Sequence, residues 1–169
     1  MRVVVVGASG NVGTSLLAAL ADDVAVDSVL AIARRRPELA FAKTDWHQAD
    51  IRTDDLTRLF RGAAAVVHLA WAIQPSRDES TLRSTNVMGS GRVLRATAAA
   101  GVPVLAYASS VGAYSAGPKT RFVDESWPTD GIRTSLVRGH WHNAFGSSRV
   151  KCLICVASRR YAAIRRSYS

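Results

Sequence analysis

The chain has 169 residues, of which 48% are hydrophobic and 21% charged, with a net charge of +9; this length suits one domain with a sizeable core, or part of a larger protein. No apolar run is long enough to span a bilayer, and "MRVVVVGASGN" enters a glycine turn too early for a signal peptide, so a cytoplasmic protein without membrane contact is expected. Residues 1–130 carry 14 basic and 13 acidic side chains and residues 131–169 carry eight basic and none acidic, so the positive charge belongs to the tail and nucleic acid is not the expected partner.

In chain order, "RVVVV" (2–6) has the continuous β-branched character of a strand buried on both faces. Residues 11–21 carry Val12, Leu16, Leu17 and Leu20 at helical spacing. "SVLAIA" (28–33) is a second buried strand, and "TDWHQADI" (44–51) a weaker third. A short helix is expected around 53–62, ending at Gly62, and a fourth strand over "AAVVHLA" (64–70). A long helix from Ser80 to Ala100 stops at Gly101 with Pro103 beyond, the usual order of stop signals. "PVLAYASS" (103–110) is a fifth strand. Strands alternating with helices predict a doubly wound parallel sheet, Rossmann-like, with ligand at the carboxyl ends of the strands.

Gly7, Gly10 and Gly13 lie between the first strand and the first helix, the context a dinucleotide-binding turn requires. Gly7 would permit the sharp turn, Gly10 would let the backbone approach a pyrophosphate, and Gly13 would let the helix pack closely on the strand. Ser9, Asn11 and Val12 complete the candidate cofactor turn. The unpaired amides of the helix start attract phosphates. A plain strand-to-helix turn is the simpler alternative. About 20 residues past the glycines, where a carboxylate would hold the ribose 2′-OH of NAD, the chain reads Ala33-Arg34-Arg35-Arg36. Arginine suits a 2′-phosphate, so Arg34 and Arg35 favour NADP over NAD; a solvated basic loop is the alternative.

"GASGNVG", "ADI" (49–51), "VVHLAW" (66–71), "NVMGSGRVL" (86–94), "YASSVGAYS" (107–115) and "VDESWP" (123–128), in this order, resemble the extended short-chain dehydrogenases. More narrowly, they resemble the NAD-dependent epimerase/dehydratase family, over about residues 1–135. The resemblance implies oxidoreductive chemistry on a nucleotide sugar or similar small molecule, and a family that often forms homodimers. It places Asp50 and Ile51 against the adenine, with Asp50 accepting from the amino group. Leu69, Ala70 and Trp71 would line the nicotinamide half, and Asn86 would organise the site. Ser110 matches the family's catalytic serine, whereas Ser109 reads as a cofactor-wall residue and Tyr114 as a loop or pocket aromatic. His68 reads as a packed strand-end residue rather than a proton shuttle.

The same resemblance calls for Tyr-x-x-x-Lys soon after "DESWP", near Val137 and Trp141, and neither residue can do that work. Only Tyr161 has a basic residue four positions later, Arg165. The tyrosine and lysine partners of Ser110 are therefore not found, and the expectation is a truncated enzyme lacking the substrate-binding part. Residues 131–169 are expected to be a divergent basic tail, out of frame or otherwise altered, and either helical or disordered. Val150, Leu153, Ile154, Ala157, Tyr161 and Ile164 could form one helical face. His140, His142, Cys152 and Cys155 are tetrahedral zinc ligand types, but their spacing matches no known finger, and no metal site is expected. The alternatives to an impaired enzyme are a non-catalytic NADP-binding or regulatory module and a non-functional truncated product.

Overall fold

A computed structural model of the chain describes residues 1–72, 79–109, 114–118, 120–124, 126–128 and 151–154. They fall in two units: Met1–Ala108 with the described part of Gly139–Leu153, and the described part of Ser109–Arg138 with Ile154.

The sheet is built from β1 (Arg2–Val6), β2 (Ser28–Ala33), β3 (Thr44–Gln48), β4 (Ala65–His68), β5 (Val104–Ser109) and β6 (Lys151–Ile154). Its helices are α1 (Asn11–Asp22), α2 (Thr57–Phe60), α3 (Glu79–Arg83) and α4 (Ser90–Ala99); a π-helical turn (Ser84–Gly89) runs α3 continuously into α4. The spatial order is β3-β2-β1-β4-β5-β6, and every pairing from β3 to β5 is parallel. The order reverses direction between β1 and β4, the point where doubly wound sheets open a crevice at their carboxyl ends.

The four valines of β1 explain why it lies at the centre. Val4 and Val6 join Ile32, Ile51, Leu56, Phe60, Val66, Val93 and Leu105 in one core layer. Val3 and Val5 join Leu17, Val26, Val29 and Ala31 in the other. Side chains alternate across a strand, so an unbroken apolar run fills both layers at once. At the far end of α4, the Gly101 amide donates to the Ala98 carbonyl and the Val102 amide to the Thr97 carbonyl. These two bonds make the Schellman closure expected of a glycine stop.

Several boundaries differ from the sequence expectation. β3 ends at Gln48 because Asp50–Asp54 folds into a turn, with the Thr53 and Asp54 amides donating to the Asp50 carbonyl. The helix expected over 53–62 shrinks to Thr57–Phe60. Within the tail, the described residues Lys151–Ile154 form a strand beside β5, which corrects the helical reading of Leu153 and Ile154. A short apolar run does not distinguish helix from strand by periodicity, whereas an open sheet edge offers it unpaired backbone groups. His140, His142, Cys155, Val137, Trp141, Tyr161 and Arg165 lie outside the described residues.

In the second unit, the Ser115 amide donates to the Pro128 carbonyl at 2.7 Å, and Trp127 Nε1 donates to the Ser115 carbonyl at 3.2 Å. The Arg121 guanidinium lies over the Trp127 ring, 5.4 Å from its centroid. The Ser126 hydroxyl and amide donate to Asp124 and hold its carboxyl below the usual carboxylate range.

Candidate functional site

Gly7 follows β1 with φ +85°, and a Cβ there would lie 2.5 Å from the Ala70 nitrogen. Both facts demand glycine: the backbone is left-handed, and the chain leaving β4 passes directly against it. The Gly7 and Ala8 amides donate to the Ile32 carbonyl, which ties the turn to the end of β2. A Cβ at Gly13 would lie 2.5 Å from the Ala8 carbonyl oxygen and 2.6 Å from that of Gly7. The first turn of α1 therefore rests on the backbone of the glycine turn rather than on the strand itself. Gly10 differs: among the described residues a Cβ there would meet only the Gly7 oxygen at 3.5 Å, so none of them fills its open side.

Gly10 occupies the N-cap of α1, and no side chain caps that end; no acidic residue stands in its first turn. Its leading amides are thus left for water or an anion. Ser9, Gly10, Asn11 and Val12 are exposed around it. A cradle closed by glycine at two points and open at the third fits a pyrophosphate.

Arg34 and Arg35 follow β2 directly and are exposed. Asp50 lies past the end of β3, where Arg52 Nε donates to both its oxygens at 3.1 and 3.0 Å and Arg52 Nη2 to one at 2.7 Å. The Arg52 guanidinium holds the Asp50 carboxyl below the usual carboxylate range, with a smaller contribution from the charge of Arg34. Asp50 is therefore an ionised acceptor, already oriented. Ile51 departs from the expectation of an adenine wall. It is 4% exposed, and a Cβ on Gly89 would lie 2.8 Å from its side chain, so it belongs to the core beneath Asp50.

Leu69, Ala70 and Trp71 continue from β4 and are half-buried; the Leu69 amide donates to the Val6 carbonyl. Asn86, on the π-helical turn, grips the next residue with both ends of its amide. Its Oδ1 accepts from the Ala72 amide at 2.8 Å and its Nδ2 donates to the Ala72 carbonyl at 3.1 Å. His68 is buried, with Nε2 2.9 Å from the Ser90 hydroxyl and its ring edge-on to Tyr107 at 4.9 Å. Burial pushes its pKa down to about 4, so it is a neutral, packed strand-end residue. Ser109 closes β5, and Ser110 lies outside the described residues.

Sequence reasoning passed over Arg52, Gly89, Ser90 and Arg92 as individual residues. A glycine inside a helical pattern was the one available signal, since it marks a close approach. Arg92 Nε donates to the Ile51 carbonyl at 3.0 Å and its Nη2 to the Asp54 carbonyl at 2.7 Å.

The model of the NAD dependent epimerase/dehydratase family matches residues 3–134. L-arabinose 1-dehydrogenase (NAD(P)(+)) of Haloferax volcanii is 36% identical over 110 residues, covering 64% of this chain and 41% of that protein. Among solved structures, the dTDP-glucose 4,6-dehydratase DesIV from Streptomyces venezuelae, with NAD and TYD bound, is 28% identical with a TM-score of 0.65. That match covers 78% of this chain and 46% of DesIV. MoeE5 in complex with UDP-glucose and NAD is 25% identical with a TM-score of 0.65, covering 76% of this chain and 42% of MoeE5. The chain thus spans less than half the length of each of these three proteins.

Proposed function

The chain belongs to the NAD dependent epimerase/dehydratase family, and from that premise we propose that it binds a nicotinamide dinucleotide, NADP in preference to NAD, at the carboxyl ends of β1, β2 and β4. The observation that carries this reading is the glycine cradle, closed at Gly7 and Gly13 and open at Gly10 before an uncapped α1. The amides of Asn11, Val12 and Gly13 would take the pyrophosphate, with Ser9 beside them. Arg34 and Arg35 would take a 2′-phosphate, Asp50 the adenine amino group, and Leu69, Ala70 and Trp71 the nicotinamide half. Ser109 would form part of the cofactor wall, and Ser110, by its match to the family's catalytic serine, would hydrogen-bond the substrate oxygen. When bound, the cofactor supplies hydride transfer.

The substrate class proposed is a nucleotide sugar or a related sugar. The two solved relatives above were obtained with NAD together with UDP-glucose or TYD, and the matching curated relative is an L-arabinose dehydrogenase. The given sequence contains no Tyr-x-x-x-Lys, and this favours binding without efficient turnover. Losing a positioned acid/base costs a factor of roughly 10²–10⁴.

Titration of the purified protein with NADPH and NADH, followed by ligand fluorescence, tests the reading. NADPH is expected to bind about tenfold more tightly, the scale of one charge-assisted contact. Gly10→Ala should lose dinucleotide affinity while lowering the melting temperature only slightly, since its Cβ makes only an ordinary contact and the cost is that of a weaker N-cap residue. No binding of either dinucleotide would refute the site. Equal affinities would refute the NADP preference, and ready oxidation of a nucleotide sugar would refute impaired turnover.

A further inference from the structure

The turn Asp50–Asp54 saturates most of its own backbone. The Asp50 carbonyl accepts from the Thr53 and Asp54 amides, the Asp54 carboxylate accepts from the Asp50 amide at 2.8 Å, and the Asp50 carboxylate from the Arg52 amide at 2.9 Å. These bonds shape the turn but do not attach it to anything. Besides the place of Ile51 in the core layer, its attachment comes from α4 and the π-helical turn before it: Arg92 reaches back to the carbonyls of Ile51 and Asp54, and Gly89 seats the Ile51 side chain. Bridging two carbonyls that stand three residues apart suits a planar fork of donors, which a guanidinium supplies and an ammonium does not.

We infer that Arg92 is a positioning residue for the nucleotide, clamping the Asp50–Asp54 turn to α4 so that the Asp50 carboxylate stands in place for an adenine amino group. The inference rests on the dinucleotide reading above and adds to it a residue that touches no ligand itself. The same helix also holds Ala72 through Asn86, so one element sets the spacing between the connections that follow β3 and β4.

The test compares the wild-type chain with Arg92→Ala and Arg92→Lys by two measurements. The first is amide hydrogen exchange of the 50–56 segment in ligand-free protein. The second is displacement of bound NADPH by AMP and, separately, by inorganic pyrophosphate, which probes only the α1 end. Arg92→Ala should speed exchange in that segment and weaken AMP about tenfold, the worth of a charge-assisted hydrogen bond, with pyrophosphate unchanged. Arg92→Lys, able to reach one carbonyl, should fall between. Unchanged AMP affinity, or equal losses for AMP and pyrophosphate, overturns the inference while leaving dinucleotide binding intact. If the wild type binds no NADPH, the dinucleotide reading fails and this one with it. If Arg92→Ala does not fold, Arg92→Lys decides: weaker AMP at an unchanged melting temperature supports the clamp, and wild-type AMP affinity overturns it.

Discussion

His68 carries a buried ring whose Nδ1 has no hydrogen-bond partner among the described residues, while Nε2 meets the Ser90 hydroxyl. Charging this ring inside the fold would leave a cation in an apolar layer, which is why its pKa falls from the ordinary 6.5 to about 4. In the unfolded chain the same ring takes a proton near pH 6.5. The unfolded state therefore binds more protons between those values, and stability falls as pH drops through this window. The integrated loss is roughly 3 kcal/mol. His68→Leu should flatten the acid limb of a stability–pH profile between pH 6.5 and 4, even though it lowers stability at pH 7 by removing the Ser90 contact. An acid limb as steep as the wild type's would show that His68 is not the group responsible.

The element that organises the site is the continuous helical rod from α3 through the π-helical turn to α4. An inserted π-helical turn is rare and recurs near functional sites. Here it carries Asn86 and ends at Gly89, and from these two residues, Ser90 and Arg92, contacts run to Ala72, Ile51, His68 and Asp54. Every one of those partners belongs to the end of β4 or to the segments that follow β3 and β4. Asn86 uses both a donor and an acceptor, so its variants separate the two. Asn86→Ala should cost about 1–3 kcal/mol by leaving the half-buried Ala72 amide and carbonyl without it. Asn86→Asp keeps the acceptor but sets a carboxylate oxygen against the Ala72 carbonyl. Denaturant melts should show it no more stable than Asn86→Ala at pH 7, with partial recovery at acid pH. Wild-type stability of Asn86→Asp would mean that the Nδ2 bond contributes nothing.

For the molecule as a whole, one sheet is shared by two apolar layers, with Phe60 fully buried in one and Leu17 in the other. Cavities made on either side should therefore weaken one cooperative transition. Phe60→Ala is expected to cost about 3–5 kcal/mol and Leu17→Ala about 2–5 kcal/mol, large fractions of the roughly 5–15 kcal/mol that stabilises a domain. Urea unfolding of either variant should move the midpoint without changing the slope. Two separated transitions would show that the layers unfold independently. No helix among the described residues is long and apolar enough to cross a membrane.

Much of this was legible before folding. The unbroken valines of β1, the aliphatic runs of β2, β4 and β5, the glycine turn and the stop at Gly101 are signals carried by a few neighbouring residues. Each predicts its element because strand burial, left-handed backbone and helix closure are local matters. Asn86 and Asp50 were also within reach, through the resemblance of short motifs. What tertiary structure alone decided is the use of residues brought together from afar. Arg92 meets the Ile51 carbonyl across 41 positions, Gly7 is glycine because Ala70 passes over it, and Ile51 is buried because Gly89 lets α4 approach. The strand at Lys151–Ile154, beside an edge 42 residues earlier in the chain at Ser109, belongs to the same class. Nothing within a few residues of any of these determines its partner; the sheet has to form before the two sides can meet.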